Sequence, residues 1–409
     1  MIELLDTVTL EEAKQIVIEN FKETSLDSEK VPLFKGGGRV LATDITAPID
    51  VPGFDRSTVD GYAVVARDTF GASESLPSFL DMIGEVEMGQ GTSLHLQRGQ
   101  SCYVPTGGMI PEGCDAVVMV EYTEALDEKT VGIQSSVAPR ENLLKKGDDL
   151  SKGELIFKKG HRLRPQDIGV LSGIGFTEID VYQPIRVSVI STGDEIIGPE
   201  EELKLGQIKD MNTYSLGIAA MEDGCEIVAT AVVKDEIETL KNKVQELMQK
   251  SDVILISGGS SMGTKDVTKD VIDALGNPGV LFHGIAVKPG KPTIGGKISD
   301  KAIFGLPGQP VSAMVVYQTL VRPFIHFLYG LKVHMPYIEG SVAVNIPSAP
   351  GREHYVMVVI QEENGEKRVY PVHGKSGMLT TMTKAHGYIC LALNQEGVSL
   401  GDAVKVYLF

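Results

Sequence analysis

The chain has no Cys-x-x-Cys pair, no His-Glu-x-x-His and no surplus of basic residues, and each absence removes a class of function. The four cysteines, Cys102, Cys114, Cys225 and Cys390, are far apart, which is the pattern of reduced thiols in a cytosolic protein rather than of a disulfide framework. The eight histidines show no paired metal-ligand spacing. A formal net charge of -17 argues against nucleic acid as the main partner, because phosphate backbones are held by basic surface. The opening stretch MIELLDTVTLEEAKQIVIENF mixes acids with its apolar residues, unlike a signal peptide. No apolar run is expected to reach membrane-spanning length. These absences lead to the expectation of a cytoplasmic protein whose partners include neither nucleic acid nor membrane.

The 409 residues suggest two to four domains, and 42% hydrophobic residues allow a sizeable core. Thr9 and Glu12 fit a capping box ahead of a short helix. From about residue 48 to 142, short apolar runs are broken by glycine and proline, as in an inserted β domain. LRPQDIGVLSGIG returns to helix, with Pro165 in the first turn. Between about 185 and 330 strand and helix alternate, which predicts a doubly wound α/β domain. Its strands are RVSVI, EIVATAVV, VILI, VLFHGIAV and AIFGL. Its helices include one capped by Asn212, one with Ile237, Leu240, Val244 and Leu247 on a single face, and a long one opened by Pro310. The last ~75 residues read as a small β domain.

In an open α/β sheet, ligands bind outside the carboxyl ends of the strands. Four loops are expected on that rim: STGDEI, SGGSSMGTKD, KPGKP and GLPGQP. The glycine-serine loop offers backbone N–H groups to an anion, although it is neither a Walker loop nor G-x-G-x-x-G. KPGKP places Lys288 and Lys291 at a fixed offset on a stiff backbone, and residues 286–297 hold three lysines and no acid. Lysine serves phosphate as a point charge. Acids on the same rim, Glu195, Asp235 and Asp266, would repel an anion unless a cation lay between them. That combination suggests Mg2+ bridging carboxylates and substrate phosphates. Plainer readings stay open at this level: Gly193, Gly258, Gly259 and Gly305 as tight turns, Asp235 as a helix cap paired with Glu238, Glu195 and Asp266 as solvated acids, Ser376 as a turn hydroxyl.

STGDEI, SGGSSMGTKD, KPGKP and GLPGQPVSA, together with FDRSTVDGYAV, PTGGMIPEGCDAVVMVE, GDDL and SGMLTTM, resemble in their order the molybdopterin molybdenumtransferases, the family that includes bacterial MoeA and the gephyrin E-domain. The resemblance covers essentially the whole chain. It implies an α/β multidomain subunit: an N-terminal helical and extended part (residues 1–47 and 145–182), an inserted β domain (48–144), an α/β molybdopterin-binding domain (183–331) and a C-terminal small β-barrel-like domain (332–409). It implies a homodimer with a cleft shared between subunits, and a molybdopterin adenylyltransferase as transient donor. The implied reaction inserts molybdenum from molybdate into adenylylated molybdopterin and releases AMP, with Mg2+. Residue by residue, Asp60, Thr106, Asp149 and Asp235 take catalytic roles. Glu195, Asp235 and Asp266 place the metal. Gly258, Gly259, Ser260, Ser261, Lys288, Lys291, Pro307, Arg352 and Ser376 hold substrate and phosphate. Two departures stand out. Leu143 and Leu144 replace a commonly arginine-rich segment, for which Lys145 is no equivalent, and Gln309 stands where asparagine is usual. They open the alternatives of a weakly active or inactive pterin-binding scaffold and of a tungstate-using variant.

Overall fold

The computed structural model of the chain describes residues 7–259, 266–332, 335–378 and 380–409. Ser260 and Ser261 of the expected phosphate loop lie outside the described residues. Two compact units form: one from residues up to Lys30, Gly38–Val40 and Asp180–Phe409, the other from Val31–Gly37 and Leu41–Ile179.

The smaller unit is built on a six-stranded sheet in the order Ala116–Met119, Gly61–Val64, Gln100–Val104, Ser78–Glu85, Thr130–Ile133, Thr123–Ala125. Side chains alternate across it, as the pleat requires. Tyr62 and Val64 enter one core cluster, and Ala63 enters the other with Cys102 and Val117, its register partners. Pro165 opens the Pro165–Gly173 helix as expected, and Asp167 closes its first turn back onto Arg164.

In the larger unit the Leu10–Phe21 helix begins with the Thr9–Glu12 capping box and buries Leu10, Ala13, Val17 and Phe21. The α/β domain has strands β1 (Arg186–Thr192), β2 (Glu226–Val233), β3 (Val253–Ser257), β4 (Gly279–His283), β5 (Ile294–Ile298) and β6 (Lys301–Leu306). Their order is β2-β1-β3-β6-β5-β4. The first four run parallel, whereas β5 is antiparallel to both neighbours. Helices α1 (Asn212–Glu222), α2 (Ile237–Met248) and α3 (Val267–Leu275) follow β1, β2 and β3, and α4 (Pro310–Leu328) follows β6. Every residue of β3 is buried, the mark of a strand covered on both faces. Val253 and Leu255 join one core cluster, with Leu216 of α1 and Val316 of α4. Ile254 and Ile256 join the other, with Leu240 and Val244 of α2. This is the doubly wound arrangement that the alternating pattern predicts.

Several local expectations are corrected. VLFHGIAV is not one strand: β4 ends at His283, and Val287–Lys288 pairs in parallel with Glu353–His354 instead. IGGKI forms β5, a strand that the sequence pattern does not announce because its two glycines dilute the apolar alternation. Asn212 does not cap α1. It is the first helical residue, and its side chain turns inward. Ile237 is 40% exposed, so the buried stripe of α2 is Leu240, Val244 and Leu247. Helix α4 is long and apolar enough to cross a membrane by length and composition, against the expectation that no run reached that length, and 67% of that window is buried inside the structure. It widens to a π-type turn over Tyr317–Val321, just before Pro323, where an N–H is missing from the ladder.

The C-terminal segment closes a small β-barrel. Glu353–Glu363 pairs with Glu366–Pro371, then Tyr337–Val342, Ala403–Leu408 and Gly387–Leu391, which returns to Glu353–Glu363. Val342, Val358, Val369, Ile389 and Val406 fill it. The Val287–Lys288 strand, added outside this ring, ties the α/β domain to the barrel.

Candidate functional site

Three of the four expected loops leave the carboxyl ends of adjacent parallel strands β1, β3 and β6. Ser191 is in register with Ser257, and Ser257 with Leu306. KPGKP reaches the same rim for a different reason. It precedes the antiparallel strand β5, whose first residue Ile294 lies opposite Gly305 near the end of β6. The rim expected from the sequence is therefore present, though one of its loops arrives at a strand's beginning.

Two of these loops, KPGKP and GLPGQP, meet Arg352 and Ser376 around a cleft of about 370 Å3, whose lining includes Lys288, Lys291, Pro307 and Gln309. Five of the expected substrate-binding residues thus meet. Among the described residues, neither lysine nor Arg352 has a carboxylate within ion-pair distance. Gly290 adopts a φ of +129°, and a Cβ there would lie 2.7 Å from Val316, so KPGKP needs glycine to pack on α4. Ser376 Oγ donates to Gln309 Oε1. Gln309, singled out in the sequence as a departure, is thus the residue that reaches Ser376.

Beside this cleft lies the acidic side of the rim. Asp235 does not cap α2. The cap position is Glu236, without a side-chain cap bond. Asp235 Oδ1 instead accepts from Thr192 Oγ1 at 3.4 Å. Partial burial, and then the charges of Asp194, Asp266 and Glu195, hold its carboxyl above the usual value. Gly259 is needed here, since a Cβ on it would lie 3.0 Å from Asp235 Oδ1 and 2.7 Å from Thr268 Oγ1. Gly258, at φ +103°, leaves no room for a Cβ, which would fall 2.0 Å from the Thr192 carbonyl oxygen. Its N–H donates to the Leu306 carbonyl and is thereby engaged within the fold.

Asp266 is placed differently from expectation. Its side chain caps α3 by accepting the Lys269 N–H at 3.1 Å. Its other oxygen lies 3.1 Å from His283 Nε2, and the side chain is 8% exposed. Glu195 is exposed and folds over Gly193. Among the described residues no three His, Cys, Asp or Glu side chains are grouped to hold a metal ion, so the three expected metal carboxylates do not form a ready cage.

In the smaller unit Asp60 Oδ1 accepts the Thr106 N–H at 2.8 Å, joining two expected catalytic residues. Asp149 is exposed, and its own N–H holds the loop to the Val51 carbonyl. Leu143 and Leu144 pair with Ser57 and Arg56. Leu143 packs against the sheet's second core cluster.

The sequence reading missed Asn212. Its Nδ2 donates to Ser257 Oγ at 2.7 Å and to the Gly308 carbonyl at 2.8 Å, fastening the β3 and β6 ends of the rim together. The local signal favoured a cap, and only the neighbouring strands reveal the bridge. His283 was missed for the same reason.

Residues 8–175 match the MoeA N-terminal region (domain I and II), residues 188–326 a probable molybdopterin binding domain, and residues 339–409 the MoeA C-terminal region (domain IV). The chain is 33% identical to a putative molybdopterin biosynthesis protein of Methanocaldococcus jannaschii, over 98% of this chain and 97% of that protein. It is 31% identical to the molybdopterin molybdenumtransferase of Haemophilus influenzae, over 98% of each. A crystal structure of the molybdopterin biosynthesis MoeA protein from Pyrococcus horikoshii OT3 is similar with a TM-score of 0.85 at 31% identity, covering 99% of this chain and 100% of that one.

Proposed function

The chain belongs to the MoeA family of molybdopterin molybdenumtransferases, and on that premise we propose that it transfers molybdenum from molybdate to adenylylated molybdopterin, releasing AMP. The observation that carries this reading is the cleft in which Lys288, Lys291 and Arg352 converge with Ser376, in a chain of net charge -17. A cationic recess in so acidic a protein selects for a small oxyanion or a phosphate. Lys288 and Lys291 neutralise it as point charges, Arg352 adds a planar fork of donors, and the Ser376 hydroxyl fixes orientation.

Asp235, on the acidic side, disfavours its own ionisation, and a cation relieves that. Mg2+ is commonly held by one or two carboxylates together with substrate phosphates and water, rather than by an all-protein cage. Among the described residues no three carboxylates are grouped, which fits an ion brought in with the substrate and held by Asp235 and Glu195. When bound, it would screen phosphate charge and polarise the bond that AMP leaves by. Asp266, engaged by Lys269 and His283, acts at longer range by shaping the field at Asp235. Asp60, which holds the Thr106 N–H, and Asp149 complete the reading from the smaller unit. We assign them to the cleft of the other subunit in a homodimer. The four-part division of the chain, a cytoplasmic setting and an adenylyltransferase donor belong to the same proposal.

The experiment is AMP release from adenylylated molybdopterin by the purified protein, with Mg2+ alone, then with molybdate, then with tungstate. Release stimulated by molybdate is expected. Stimulation by tungstate alone would change the oxyanion assigned. Tight binding with no release under any condition would overturn the transferase reading in favour of a scaffold.

A further inference from the structure

Adjoining the cationic cleft, and sharing Lys288, Pro289, Gln309 and Ser376 with it, is a second chamber of about 460 Å3. Its chemistry differs. Val311, Tyr355, Met357 and Val372 make an apolar wall, His354 and Thr381 add hydrogen-bonding groups, and Lys375 joins Lys288 as a second cation on the lining. Thr381 is 5% exposed, yet among the described residues its Oγ1 has no hydrogen-bond partner. A buried hydroxyl is costly to leave unpaired, so this one awaits a ligand or a water. Gly374 lies directly against it, since a Cβ there would fall 2.5 Å from Thr381 Oγ1.

His354 is positioned by the barrel. It is the register partner of Lys288 across the Val287–Lys288 pairing, and its Nδ1 lies 3.2 Å from Ser348 Oγ. Burial, then the charges of Lys288 and Arg352, push its pKa down to about 4. The ring is therefore neutral at physiological pH, able to donate or accept but not to attract an anion. An apolar wall with convergent neutral polar groups suits a planar ring, and Lys288 and Lys375, which also line the chamber, suit the anionic group that such a ring carries.

We propose that this chamber is a subsite for a fused nitrogen heterocycle, the purine or pterin ring of the same ligand whose anionic group lies in the adjoining cleft. This rests on reading that cleft as an oxyanion and phosphate site. Thr381 Oγ1 and the His354 ring meet the heterocycle's polar edge, and Tyr355 and Met357 cover its face.

The test is equilibrium titration of the full-length protein with ribose 5-phosphate, adenosine 5′-monophosphate and a phosphate ester of 6-hydroxymethylpterin. One ring-bearing probe is expected to bind about tenfold or more tighter than ribose 5-phosphate, and the probe that does so identifies the ring as purine or pterin. That advantage should collapse in Thr381→Val and His354→Leu, with ribose 5-phosphate binding as before. Thr381→Val is nearly isosteric, so it keeps the packing while removing the hydroxyl. Equal affinity for all three probes, or an advantage that survives both substitutions, overturns the proposal. Lys291→Ala separates the two readings. If it leaves every affinity unchanged, the cleft assignment fails, whereas a ring advantage still sensitive to Thr381→Val upholds the chamber.

Discussion

Asp235 combines a raised carboxyl pKa with a position among Asp194, Glu195 and Asp266, and this sets the sign of its effects. An acid whose folded-state pKa is raised favours folding while protonated, and that contribution is lost as pH rises through the folded-state value. Replacing Asp235 with asparagine is therefore expected to abolish molybdate-dependent AMP release while leaving the urea midpoint at neutral pH unchanged or higher. Wild-type turnover in that variant would remove Asp235 from the chemistry. The His354 sign is opposite. Its folded-state pKa is depressed to about 4 from 6.5, so the neutral ring supports folding above 6.5 and that support declines as pH falls toward 4. Urea midpoints across that window should fall less steeply in His354→Gln than in wild type. Gln309→Asn tests a third residue. Loss of the Ser376–Gln309 bond is worth about 1 kcal/mol, or about fivefold in apparent molybdate affinity, read by titration. Residue types with a rim role were legible at this scale, because lysines on a proline-stiffened loop and acids at strand ends are rare in combination. Asp266 was not fully legible, because its partner His283 is distant in sequence and meets it only in the fold.

At the scale of elements, the rim depends on backbone conformations that a side chain would destroy. Gly258→Ala should be disabling, since its Cβ would overlap the Thr192 carbonyl and φ is +103°. Strain of that kind costs about 1–3 kcal/mol. Activity should fall with it, and a variant with normal activity and an unchanged melting temperature would show that the loop relaxes at no cost. The Pro165–Gly173 helix offers an independent check. Asp167 accepts from Arg164 and His161, the Arg164 guanidinium being the main cause of its depressed carboxyl pKa. Asp167→Ala is expected to cost about 2 kcal/mol in a urea titration above the unfolded-state pKa. The difference should shrink as pH falls through the depressed value. Periodicity made most of these elements visible: the Thr9 cap, the α2 stripe and the buried run of β3 all follow from local pattern. The failures share a cause. β5 is rich in glycine, so its apolar pattern is weak. Asn212 and Asp235 both sit where a cap is locally reasonable, while long-range partners claim their side chains.

At the scale of the whole molecule, the proposed homodimer divides the catalytic acids between subunits. Asp60→Asn and Asp235→Asn proteins, each inactive, should regain AMP release when unfolded together and refolded, because a mixed dimer then carries one intact cleft. No recovery would place each cleft within a single chain. The amino-acid sequence by itself determined the family, through motifs that keep their order along nearly the whole chain, and the doubly wound class, through alternation of strand and helix. It also determined the chemistry of the cleft, because composition and loop stiffness are local properties. Tertiary structure alone decided which groups meet. It brought KPGKP to the rim through an antiparallel strand, set Lys288 beside His354 by a pairing between domain and barrel, and bridged two strand ends with Asn212. It also left the Thr381 hydroxyl without a hydrogen-bond partner among the described residues. These are contacts between residues far apart in the chain, fixed by sheet register and core packing, and no local pattern encodes them.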